Sequence, residues 1–163
     1  MALAEGGLSA GDRAPNFKLA TDEGDGVSRA ALKGKPFVLY FYPKDDTAGC
    51  TREAVDFSAA AGKFGKLGIP VIGISKDSIA AHEKFRKKHK LKVTLASDPE
   101  IKTIQDWGVW VEKSLYGRKY MGIERATFLV NAKGVVEQAW RKVKVPGHVE
   151  AVLAAAKTLS GGS

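Results

Sequence analysis

An α/β fold, with a central mixed β-sheet flanked by helices and a short hairpin extension at the N-terminal end, is what this sequence predicts. Two observations carry that expectation. Residues 37–42 (FVLYFY) and 71–75 (VIGIS) are continuous apolar runs of strand length, and each is followed by a segment with apolar residues every three or four positions. Two such βα units in succession predict parallel strands. Farther on, residues 126–130 and 135–140 flank Asn131, Ala132, Lys133 and Gly134, a hairpin signal that adds antiparallel pairing.

The elements follow in order. Residues 1–11 are small, glycine-rich and aperiodic and are expected to be a loose lead-in to one domain over 1–163. Residues 16–20 alternate polar and apolar and run into Asp22, Glu23, Gly24, Asp25 and Gly26, which predicts a short edge hairpin. Residues 28–32 read as one helical turn with Gly34 as its stop. The run 37–42, bounded by Pro36 and Pro43, has the pattern of a strand covered on both faces. A helix is expected from Cys50 to Lys66 through Ala54, Phe57, Ala61 and Phe64, ended by Gly68 and Pro70.

After the strand at 71–75, Asp77 or Ser78 is placed to cap a helix running through Ile79, His82, Phe85 and His89. A further short strand over 93–96 leads to a helix through Ile101, Ile104 and Trp107, with Pro99 in its first turn. Residues 108–122 read as a loop with possible short strands. Pro146 and Gly147 precede a last helix with Val149, Val152, Leu153, Ala156 and Leu159 on one face.

Composition narrows the function classes. The 163 residues carry a net charge of +8, which raises an acidic partner as an option, but the densest basic run, 84–90, falls on the outer face of a helix. Nucleic acid is therefore not expected as a partner. No stretch approaches the roughly 18 apolar residues of a membrane span, so no membrane partner is expected either. The start of the chain lacks a basic segment followed by an apolar run, which predicts a cytoplasmic location. His82, His89 and His148 form no pair at metal-ligand spacing, and neither metal nor cofactor is expected.

The one cysteine, Cys50, excludes an intrachain disulfide and a multi-thiolate zinc site. It lies where the polar loop after the central strand enters a helix, at the strand end where open α/β sheets bind ligands. Unpaired N–H groups and the helix dipole favour an anion there. A buried filler residue and a reactive thiol both remain open on that ground. Thr47 places a hydroxyl three residues earlier, as a helix cap or as a partner to a bound peroxide or thiolate. Arg125 opens a core strand, where a charge is either exposed at the edge or paired inside. Glu53, one turn beyond Cys50, is able to pair with it in a bidentate manner or to serve the helix dipole.

Residues 38–57, VLYFYPKDDTAGCTREAVDF, resemble the active-site segment of peroxiredoxins of the bacterioferritin comigratory protein (PrxQ) type. The resemblance continues through residues 75–85, 97–99, 122–134 and 143–148, in order and without large gaps. It implies a thioredoxin-like fold and a thiol peroxidase acting on hydrogen peroxide and organic hydroperoxides in antioxidant defence. It also implies Cys50 as peroxidatic cysteine, Thr47 as peroxide-orienting residue and Arg125 as active-site arginine, with Glu53 holding that arginine. The backbone N–H groups of Gly49 and Cys50 would join Thr47 and Arg125 at the substrate. Two positions depart from the pattern: Ala48 stands where the family usually has proline, and Val55 where many relatives carry a resolving cysteine. None lies between Asp77 and Lys90 either, so a one-cysteine mechanism is expected, in which an external thiol (thioredoxin, glutaredoxin or glutathione) resolves the sulfenic acid. A monomer or weak dimer is expected. The alternatives are a thioredoxin-like thiol transferase and a non-enzymatic basic module that binds nucleic acid or a protein.

Overall fold

The computed structural model describes residues 8–161. Its elements are β1 (Lys18–Thr21), β2 (Val27–Ser28), β3 (Phe37–Phe41), α1 (Ala48–Ala59), α2 (Ala61–Lys66), β4 (Val71–Ser75), α3 (Ile79–His89), β5 (Thr94–Ser97), α4 (Lys102–Asp106), β6 (Trp110–Leu115), β7 (Arg118–Ile123), β8 (Ala126–Val130), β9 (Val136–Trp140) and α5 (His148–Gly161). Seven strands form one mixed sheet in the order β2-β1-β5-β4-β3-β8-β9. The βα units place β3, β4 and β5 parallel, while β8 runs antiparallel to β3 and β9 to β8.

The apolar run of β3 is continuous because both of its faces are covered. Phe37, Leu39 and Phe41 point into one core with Phe17, Trp107 and Phe128, closed by α4 and the N-terminal segment. Val38, Tyr40 and Tyr42 point into the other with Phe57, Phe64, Phe85 and Val152, closed by α1, α2, α3 and α5. Each fully buried side chain of this size contributes roughly 1.5–3 kcal/mol relative to exposure.

Several expectations need correction. Of the lead-in expected over 1–11, residues 1–7 lie outside the described residues; residues 8–11 are held, because Leu8 is buried and the Gly11 N–H donates to the Val136 carbonyl at 2.8 Å. Of residues 28–32, Ser28 ends β2 and residues 29–32 form hydrogen-bonded turns rather than a helix. The long helix begins at Ala48, two residues before the cysteine, and breaks at Ala60, whose N–H is shared between the Asp56 and Phe57 carbonyls. Pro99 lies before α4 instead of in its first turn, because Ile101 turns the chain with φ 56°.

The largest difference is at residues 108–122. Trp110–Leu115 and Arg118–Ile123 pair as a separate antiparallel hairpin, turned by Tyr116 (φ 52°) and Gly117 (φ 77°). Two consecutive positive φ values match the twist that a two-residue hairpin turn requires, and Tyr-Gly is a weak sequence signal for it. Among the described residues no helix is long and apolar enough to cross a membrane.

Candidate active site

The site lies at the carboxyl end of β3, where the chain leaves the sheet and enters α1. The loop between them is held by buried polar contacts. Asp45 accepts from the Tyr42 hydroxyl at 2.6 Å, and its other oxygen faces His82 Nδ1 at 2.6 Å. His82 Nε2 meets the Ala96 carbonyl at 3.0 Å. Both ring nitrogens thus face acceptors, which the doubly protonated imidazolium satisfies. Burial opposes that charge, but Asp45 outweighs it and the His82 pKa is raised. The Asp45 N–H donates to Asp77 Oδ2 at 2.8 Å, which also accepts from Ser75 at 2.7 Å. The residues before the cysteine are fixed to β4, β5 and α3 before any ligand arrives.

Cys50 sits in the first turn of α1 and is 1% exposed. The first intrahelical bond at this end runs from Thr51 N–H to the Thr47 carbonyl at 2.8 Å, which leaves the N–H groups of Ala48, Gly49 and Cys50 without helical partners. Arg125 comes from the residue just before β8, the strand beside β3, and its Nη2 donates to Cys50 Sγ at 3.3 Å. Nη1 donates to Glu53 Oε1 at 2.7 Å. The arginine is therefore paired and inward rather than exposed at the edge. Glu53 binds it through one oxygen, not in the bidentate manner expected, because the second nitrogen goes to the sulfur.

Gly49 explains how the guanidinium comes so close: a Cβ there would lie 3.1 Å from Arg125 Nη2. Thr47 precedes α1, but its hydroxyl donates to the Lys44 carbonyl at 2.9 Å and makes no side-chain cap. Its contact is with the loop rather than with the sulfur.

Beneath Arg125 the site is buried and short of hydrogen-bond partners. Glu53 Oε2 has none, and His148 Nε2 lies 3.9 Å from it. That nitrogen is hydrogen-bonded to Thr127 Oγ1 at 2.7 Å. Burial lifts the Glu53 carboxyl to about 7, with Arg125 pulling it back. Burial, helped by the Arg125 charge, pushes His148 down to about 4, so its ring is neutral. Burial opposes the Arg125 charge, but the combined effect of Glu53 and Cys50 is greater and holds its pKa above the usual range. The chemistry available is a sulfur with a fixed cation and free N–H donors on one side, and a carboxyl near its own titration point behind the cation.

Sequence reasoning missed His82, Asp45 and Asp77 as loop supports and His148 and Thr127 as the floor. The inward helical spacing of His82 and Phe85 was a usable signal for one of them. Among the described residues no cluster of His, Cys, Asp and Glu is arranged to hold a metal ion.

Comparison with known proteins finds relatives over nearly the whole chain. The AhpC/TSA family pattern matches residues 10–139. A Bacillus subtilis protein named peroxiredoxin Bcp is 44% identical over 153 residues, covering 94% of this chain and 98% of its own. A Xanthomonas campestris peroxiredoxin Bcp is 45% identical over 142 residues, covering 87% and 89%. The solved bacterioferritin comigratory protein of Xanthomonas campestris, whose description concerns alkyl peroxide reduction, superposes with a TM-score of 0.82 at 43% identity, covering 87% of this chain and 90% of that one. The thioredoxin-like architecture implied by the resemblance is the one found.

Proposed function

This chain belongs to the AhpC/TSA family as a one-cysteine peroxiredoxin of the Bcp or PrxQ type, a thiol peroxidase, and we propose that Cys50 is the sulfur that reduces the peroxide. The observation that carries this assignment is the 3.3 Å contact between Arg125 Nη2 and Cys50 Sγ, with the same guanidinium anchored on buried Glu53 at 2.7 Å. A fixed cation held against a sulfur stabilises negative charge there before the reaction and on the departing oxygen during it.

The Cys50 thiolate attacks the terminal oxygen of the hydroperoxide. The O–O bond breaks, its electron pair leaves with the other oxygen, and Cys50 becomes a sulfenic acid. Arg125 and the free N–H groups of Gly49 and Cys50 receive the developing oxyanion, which then takes a proton. The Thr47 hydroxyl, which donates to the Lys44 carbonyl, turns to the peroxide when it binds. Glu53 acts by positioning: removing it would leave the partly buried guanidinium without its carboxylate anchor.

With one cysteine in the sequence, the sulfenic acid is reduced by an external thiol through a mixed disulfide. Hydrogen peroxide and organic hydroperoxides are the substrates we propose, with thioredoxin, glutaredoxin or glutathione as reductant. The reading extends to a single domain in the cytoplasm, as a monomer or weak dimer. Neither the thiol transferase nor the basic-module alternative accounts for an arginine anchored against the lone sulfur. Peroxide consumption in excess dithiothreitol, compared between the native protein and Arg125→Ala, tests the assignment, and equal rates would refute the role of Arg125.

A further inference from the structure

We propose that one face of the β6–β7 hairpin is the docking surface for the protein thiol that reduces Cys50, a dithiol partner presenting apolar side chains ringed by carboxylates. The proposal rests on the reading of Cys50 as the peroxide-reducing sulfur. Cys50 is 1% exposed, so a protein thiol reaches its sulfur only by settling closely over the start of α1. The surface beside it should then carry apolar anchors.

Large exposed apolar side chains are concentrated on the β6–β7 hairpin, whose second strand ends two residues before Arg125. Among the described residues they are Val55, Leu115, Tyr116, Tyr120 and Met121, and all but Val55 lie on this hairpin. Tyr116, at the turn, is 97% exposed. Val55 lies on α1, in the helix that carries Cys50.

The strand register sorts the two faces. Lys113 pairs with Tyr120 and Leu115 with Arg118, so these four side chains share one face, while Glu112 and Met121 share the other. The first face carries cations and apolar groups with no carboxylate. Leu115, Tyr116, Arg118 and Tyr120 border a cleft of about 510 Å³, which Lys119 reaches from the other face. Burial, helped by the Arg125 charge, holds the Lys113 ammonium below its usual range, in keeping with a cationic face close to the arginine. The hairpin is tied to the site along the chain as well, for only Glu124 separates β7 from Arg125.

Aromatic and arginine side chains of this kind are the usual energetic centres of protein interfaces. The cations select an acidic partner and speed its approach, in line with the net charge of +8. A second copy is the poorer occupant, because a two-fold contact would set Lys113 and Arg118 against like charges. In the docked complex a partner thiolate attacks the Cys50 sulfenic sulfur, the S–O bond breaks, and the oxygen leaves as water after protonation. The partner's second thiolate then displaces the Cys50 thiolate and leaves the partner as a disulfide.

The test is turnover of hydrogen peroxide by Tyr116→Ser/Tyr120→Ser and by Arg118→Glu. One arm uses bacterial thioredoxin or glutaredoxin, whichever supports the native enzyme, and the other uses dithiothreitol. The expected result is a KM for the protein thiol raised at least fivefold in both variants, with dithiothreitol-supported turnover unchanged. An unchanged KM overturns the docking surface and leaves the role of Cys50 standing. An equal loss with dithiothreitol overturns it as well, since a docking face does not act on a small thiol. Conversion of a native dimer to monomers by the same substitutions would assign the face to a second copy, against the proposal. A native protein that consumes no peroxide with dithiothreitol would overturn the underlying reading itself.

Discussion

Arg125 Nη2 stands 3.3 Å from Cys50 Sγ, although 75 residues of chain separate them. The pairing of β8 beside β3 brings them together: Phe41 lies opposite Ala126, so the end of one strand and the start of the other meet at the same edge of the sheet. Replacing Arg125 with alanine removes the fixed donor and should lower kcat/KM for peroxide by about 10²–10³-fold, the usual loss for such a group. Stopped-flow oxidation of Cys50 under single-turnover conditions checks this without interference from the reducing step.

Gly49 makes that approach possible, since an added Cβ would lie 3.1 Å from the guanidinium nitrogen. Alanine is the better helix former by about 1 kcal/mol. Gly49→Ala is therefore expected to raise Tm slightly while lowering kcat/KM severalfold, as the guanidinium shifts off the sulfur. Thermal unfolding and peroxide kinetics on the same preparation read the two effects separately.

Glu53 and His148 should give opposing pH dependences. The Glu53 carboxyl rises from 4.5 to about 7 on folding, so the folded state holds the extra proton, and stability present below 4.5 is lost as pH rises through 7. His148 falls from 6.5 to about 4, so the unfolded state holds the extra proton, and stability present above 6.5 is lost as pH falls through 4. Between 4.5 and 6.5 the two partly cancel in the native protein. In Glu53→Gln the stability should rise with pH across that window; in His148→Asn it should fall. Urea unfolding of both variants at several pH values measures the slopes.

Ala48 occupies the first position of α1, where a missing N–H costs no helical bond. Thr47 before it is extended (φ −93°, ψ 157°), the conformation that a following proline demands. Ala48→Pro should therefore stabilise the fold by about 0.4–1 kcal/mol through the unfolded chain. A Tm increase of about 1–4 °C in thermal unfolding is expected.

Much of the site was legible in the sequence because its chemistry is local. Thr47, Gly49, Cys50 and Glu53 lie within seven residues, at a strand-to-helix junction whose ends are marked by prolines and helical spacing. Arg125 came from the family resemblance; its contact with Cys50 depends on strand order, which spacing does not reveal. The single Arg125–Glu53 bond and the orphan Glu53 oxygen are likewise properties of packing. The hairpin over Trp110–Leu115 and Arg118–Ile123 was obscured because its strands are half exposed, carry mixed charges and turn at Tyr-Gly.

On the proposed mechanism Cys50 is the peroxide-reducing sulfur. The most direct test is peroxide consumption in excess dithiothreitol by the native protein and by Cys50→Ser, with mass spectrometry after one equivalent of peroxide. Rapid consumption is expected, with one added oxygen or a thiol adduct on Cys50 in the native protein, and loss of both in the serine variant. Equal consumption by the two proteins would contradict it.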